Sequence, residues 1–254
     1  LTKIGNGTLV LSGDSTIAGG YDAGTNVREG VLSLTSTGRI NPGVLVSGNT
    51  NNLSSVFGTL RVSADQNVSD VTVQDARLAL AADINPSIFL NPASTGGSLA
   101  LHNVSPRDVE GNITAFFTAG GQNVLNFSDA GANALPNGAN WRLAATTGID
   151  GTGTTLANNS QAVDSAIASN MQILVNPVSK TLLFGGGNGR LFLFNTITDA
   201  VVGTKIDVDF GGTTVFSATN RFSGGIEIAK NFGGGTLQID HVEGLGANTN
   251  SNTV

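Results

Sequence analysis

The chain has two imidazoles, His102 and His241, and no cysteine. A Ser-His-Asp relay would need one of them near an exposed nucleophile, yet no Gly-x-Ser-x-Gly elbow occurs. His102 follows a Leu-Ala-Leu run and reads as the polar end of a strand. Asp207 and Asp209 are the more suggestive pair. They alternate with Val208, so on a strand both carboxylates project to one side. Two carboxylates with separated pKa values suit general acid/base work, and their oxygens suit calcium if neighbours add more. The plainer expectation puts Ile206, Val208 and Phe210 in the core and both aspartates in water, with Lys205 as their charge partner.

Gly185-Gly186-Gly187-Asn188-Gly189-Arg190 invites a phosphate-loop reading, but the Gly-Lys-Ser/Thr ending is missing. The calcium-binding Gly-Gly-x-Gly-x-Asp repeat is absent too. Glycine clusters stand between apolar runs throughout, so corners account for them. Asn-x-Ser/Thr triplets at Asn6, Asn52, Asn67, Asn103, Asn112, Asn126 and Asn158 receive no function in so polar a chain. No residue is assigned as catalytic, cofactor-binding or metal-ligating, and no cofactor is expected. The expectation is a protein that is not an enzyme.

Composition narrows the partners. Of 254 residues 35 are glycine, roughly twice the usual share of about 7%. Only 12% are charged, about half the usual ~25%. A net charge of −6 with scattered basic residues argues against nucleic acid and anionic membrane as partners. No apolar run nears the ~18 residues of a membrane helix, so no membrane insertion is expected. Without cysteine there is no disulfide framework.

The elements that must position any site are short strands. Apolar alternations recur at 8–11, 31–34, 44–46, 59–62, 71–73, 78–80, 99–101, 124–127, 172–175, 181–184, 191–194, 205–210, 213–216, 225–228 and 236–239. Each is bounded by Gly, Asn, Asp, Ser or Thr, which is the pattern of strands and turns. One helix is expected, over 160–171, where Ser160 could cap and Val163, Ile167 and Met171 recur. Low charge, few bulky aromatics and glycine corners favour a coil in which each strand pairs with the one a turn below. Stacked like charges would repel in such a coil.

Repetition supports the coil. Residues 1–34 run Leu1-Thr-Lys3-Ile-Gly5-Asn-Gly7-Thr8-Leu9-Val-Leu11-Ser-Gly13, then Tyr21, Gly24-Thr25-Asn-Val27 and Gly30-Val-Leu32. This resembles the autotransporter-associated β-strand repeat, with Tyr21 and Gly24 one residue further apart than in that pattern and Val31 intruding before Leu32. Phe222 to Ile239 resembles a second, truncated copy. The resemblance implies a secreted bacterial chain folded as a right-handed parallel β-helix.

The expected fold is therefore all-β, a right-handed parallel β-helix (β-solenoid) with irregular loop insertions. One continuous domain is expected: coils carrying the repeat over 1–105, a less regular stretch or insertion over 106–176, and coils again over 177–254. The pattern is already running at Leu1, which reads as a piece of a longer secreted chain. The expected function is extracellular or cell-surface and structural, a passenger or filament segment. Its expected contacts are end-to-end self-association or packing against the rest of a longer chain, with a surface glycan as a further partner. The alternatives are a β-helical polysaccharide lyase or hydrolase, for which Asp207, Asp209 and a stacked Arg or Glu would be the sign. An adhesin would instead show Tyr21 or Trp141 exposed on a groove.

Overall fold

A computed structural model describes residues 1–14, 24–48, 58–102, 104, 112–146, 164–228 and 234–246. Tyr21, residues 160–163 of the expected helix, Asn52, Asn103 and Asn158, and the polar segment 247–254 lie outside the described residues.

The first strands are β1 (Thr2–Lys3), β2 (Thr8–Leu11), β3 (Thr25–Val27), β4 (Val31–Leu34), β5 (Val44–Ser47), β6 (Thr59–Val62) and the long β7 (Val71–Leu80). Then come β8 (Gly96–His102), β9 (Val124–Asn126), β10 (Trp141–Thr146), β11 (Asp164–Ile167) and β12 (Gln172–Leu174). The last are β13 (Thr181–Phe184), β14 (Arg190–Leu193), β15 (Lys205–Val208), β16 (Thr213–Phe216), β17 (Ile226–Ile228) and β18 (Thr236–Ile239). Every ladder between them is parallel. The fold is a parallel β-helix.

One spine of rungs runs β2-β4-β6-β7-β8-β10-β13-β15-β17. β1, β3 and β5 form a second face that meets the first half of β7. Asp75, at a positive φ of 48°, breaks the β7 register between Gln74 and Ala76, so the two halves of β7 serve different faces. Partners fall 23 residues apart at Thr8–Val31, Arg190–Thr213 and Thr213–Thr236. The step widens to 44 residues from Leu99 to Leu143 and 41 from Arg142 to Leu183. Within that wider stretch β9 and β12 pair as a separate ladder, and β11 opens a four-stranded sheet with β14, β16 and β18.

Apolar side chains stack through the interior in columns, one residue from each rung. Leu9, Leu32, Leu60, Leu78, Leu99, Leu143, Phe184, Val208 and Ile228 follow one another along the spine. From Leu32 to Val208 they are all buried. Burying each such side chain contributes about 1.5–3 kcal/mol, and a charge here would sit between two apolar neighbours. Ala166, Phe192 and Val215 form a second apolar row on the opposite side of the β11-β14-β16 sheet, covered by Ile113 and Phe194. Phe116 meets Phe194 edge-on at 5.5 Å.

Two local expectations are corrected. Where the helix was expected, Asp164–Ile167 is a strand paired with Arg190–Leu193, followed by a turn. Ile167 and Met171 are both buried, but one ends a strand and the other follows the turn, so their helical spacing is coincidental. At the end of β15, Phe210 does not continue the inward alternation. Val208 and Asp209 are both buried, so the alternation ends there, and Phe210, at a φ of +61°, turns outward to line a groove. A period of two holds only while the backbone stays extended.

Candidate functional site

The positions immediately before the core column point outward and form their own row. Along the spine they read Thr8, Val31, Thr59, Arg77, Ser98, Arg142, Leu183, Asp207 and Glu227. With rungs about 4.8 Å apart, charged groups many residues distant in sequence become near neighbours. Two arginines come first, flanking Ser98; two acids follow beyond Leu183.

The arginine half of this row lies in a groove of about 160 Å³. Its walls are Arg77, Ser98, Asn140, Arg142 and Phe210, with Asp75 at the margin. Gly186 crosses above the sheet. Its N–H donates to the Phe210 carbonyl at 3.2 Å, and its own carbonyl accepts from Arg77 Nε at 2.9 Å and Nη2 at 2.6 Å. The Ser98 hydroxyl donates to the same carbonyl at 3.2 Å. A β-carbon on Gly187 would come within 1.9 Å of the Ala145 carbonyl oxygen, so this arch lies too close to the sheet for a side chain there. The glycine cluster is thus more than a corner, because it roofs a site.

The two guanidiniums differ. Arg77 forms no ion pair among the described residues, and burial alone lowers its pKa. Arg142 lies over the Phe210 ring at 4.2 Å, donates to the Phe184 carbonyl at 3.4 Å and stands 3.9 Å from Asp207. Burial lowers its pKa as well, with Asp207 and Asp209 opposing. Burial raises the Asp207 carboxyl above the ordinary carboxylate range; Arg142 opposes this and Asp209 adds to it.

The candidate acids separate. Asp209 is buried, and its Oδ1 accepts from the Phe210 N–H at 2.7 Å. Asp207 stays on the outer row, one rung from Glu227, so the two outward carboxylates are Asp207 and Glu227. Lys205 pairs with Glu227 rather than with either aspartate. His102 is buried at the end of β8, whereas His241 is half-buried and its Nδ1 accepts from the Glu243 N–H at 3.1 Å. Trp141, offered as an exposed aromatic, is interior, and its Nε1 donates to the Pro136 carbonyl at 2.8 Å. Among the described residues no three His, Cys, Asp or Glu converge as a metal site.

Asn67 and Asn126 prove to be internal fasteners. Asn67 is fully buried, accepts from the Ser63 and Ala64 N–H groups, and donates to the Thr35 and Gly38 carbonyls of the preceding coil. Asn126 donates to the Ala130 and Ala132 carbonyls.

The groove was not anticipated from sequence, although a signal for it exists. Ala76-Arg77-Leu78-Ala79, Gly97-Ser98-Leu99-Ala100 and Trp141-Arg142-Leu143-Ala144 share one pattern, and stacking them aligns both arginines.

Comparison with known families finds the passenger-associated-transport-repeat at residues 1–34 and 211–239. The chain carries this autotransporter passenger repeat at both segments. The first matches the stretch read from Leu1 to Leu34, and the second begins eleven residues before Phe222. No curated protein and no solved structure matched the chain.

Proposed function

We propose that a chain with two passenger-associated transport repeats serves as a surface-exposed structural passenger, secreted and without enzymatic activity. The observation that carries this reading is the unbroken spine of parallel rungs with its apolar column. Such a stack distributes its stability over neighbour-to-neighbour contacts and leaves its outer faces free. Among the described residues no helix is long and apolar enough to cross a membrane.

Stacking also suggests the contacts. In the last described coil Ile228 and Ile239 are exposed, on β17 and β18, which among the described residues pair on one side only. Strands open on one side are templates for a further rung. We therefore assign this face to end-on packing, against another copy or against the rest of a longer chain.

Two experiments test the reading. Protease treatment of intact producing cells should remove the chain while cytoplasmic markers survive; protection in intact cells would overturn surface exposure. Incubation with a panel of acidic and neutral polysaccharides should release no reducing or unsaturated ends. Release that is lost in Asp207→Asn or Glu227→Gln would make the chain an enzyme.

A further inference from the structure

We propose that the groove between Arg77 and Arg142 binds the carboxylate of a small hydroxylated acid, about the size of one sugar acid. The site stands on its own geometry and would hold wherever the chain is displayed.

Arg77 carries the argument. Its Nε and Nη2 are occupied by the Gly186 carbonyl, while Nη1 faces no protein acceptor among the described residues. A guanidinium withdrawn from water without a carboxylate is costly, and a ligand carboxylate would relieve that cost. Guanidinium and carboxylate match as planar forks, so the pairing is directional as well as charged. Arg142 stands two rungs away across Ser98, about 10 Å at the spacing of parallel rungs. It is already shared with Asp207 and the Phe210 ring, so it contributes field while Arg77 contributes the anchor.

The rest of the groove sets the size and kind of acid. A volume of 160 Å³ is about half the ~300 Å³ at which drug-sized pockets begin. That is room for one sugar-sized ring. Asp207 offsets Arg142, so Arg77 supplies the positive charge of the groove that has no ion pair among the described residues, and one such charge matches a monoanion better than a dianionic phosphate. Ser98 Oγ and Asn140 Oδ1 are available as acceptors for ligand hydroxyls, and Phe210 supplies an apolar wall.

The test is a titration of the full chain with sodium glucuronate, followed by amide NMR. Saturable shifts are expected at Ser98, Gly186 and Phe210. Glucose, of the same size without the carboxylate, should bind at least about tenfold more weakly, the scale of one charge-assisted pair. Arg77→Met should lose a similar factor. Because Arg77 also holds the arch, Arg142→Gln is the second variant, with a smaller loss of about threefold. A glucuronate tetramer binding more tightly than the monomer would place the carboxylate within a glycan; equal binding would make the ligand a free acid. No saturable shift, equal binding of glucose, or unaltered binding by both variants would overturn the proposal.

Discussion

A β-carbon on Gly30 would lie 2.7 Å from the Lys3 ammonium. That ammonium is buried and donates to the carbonyls of Ile4, Gly5 and Glu29 at 2.9, 2.6 and 3.1 Å. The Glu29 carboxylate returns the contact by accepting from the Gly5 N–H at 2.9 Å. Lysine and glycine therefore occur together in the repeat for a physical reason: one ammonium ties the corners of two successive coils, and only a residue without a side chain leaves it room.

Gly30→Ala should accordingly break the first corner. The new methyl would also meet the Gly5 and Gly7 carbonyl oxygens at 2.3 and 2.5 Å, at a φ of +65° that alanine disfavours. A loss of about 2–4 kcal/mol is expected. Hydrogen exchange should locate it, with protection falling first at Thr8–Leu11 and Val31–Leu34. An unchanged exchange pattern would sink this account of the motif.

Asn67→Ala should cost roughly 3 kcal/mol, because it strips partners from two N–H groups and two carbonyls between coils. The check is a denaturation midpoint. Asn67→Asp is the informative companion: it keeps the acceptor but turns a buried carboxylate oxygen toward the Thr35 and Gly38 carbonyls, and should cost at least as much at neutral pH.

These fasteners show what was legible in the sequence and what was not. Strand positions such as Thr8–Leu11 and Thr213–Phe216 could be read directly, because alternation and flanking glycines are local signals. The parallel coil was also legible, through the recurring Gly-Thr-Leu units. Asn67 looked like any other Asn-x-Ser, since its role depends on carbonyls 29 and 32 residues away. The groove was hidden for the same reason: Arg77 meets Gly186 across 109 residues. Phe210 was misplaced because nothing in its alternating neighbourhood announces a left-handed residue.

Asp207 gives a pH prediction. Burial raises its carboxyl pKa, so the folded chain holds that proton to higher pH than the unfolded chain does. Stability from this group is therefore greatest below the ordinary carboxylate value of about 3.9 and declines as pH rises through the raised value. Asp207→Asn removes the ionising group. The variant should gain on the wild type as pH rises from 4 to 7, in paired thermal melts. A variant that loses ground to the wild type over that range would contradict the assignment.

The stacked spine is the central claim, and one distance tests it. Val10 on β2 and Glu227 on β17 are exposed and stand eight rungs apart. The chain has no cysteine, so Val10→Cys with Glu227→Cys places two spin labels and no others. Pulsed electron resonance should give a narrow distribution centred near 38 Å, the length of eight steps of about 4.8 Å. A peak below about 20 Å, the range of two sheets packed face to face, or a broad distribution without a maximum, would contradict the coil.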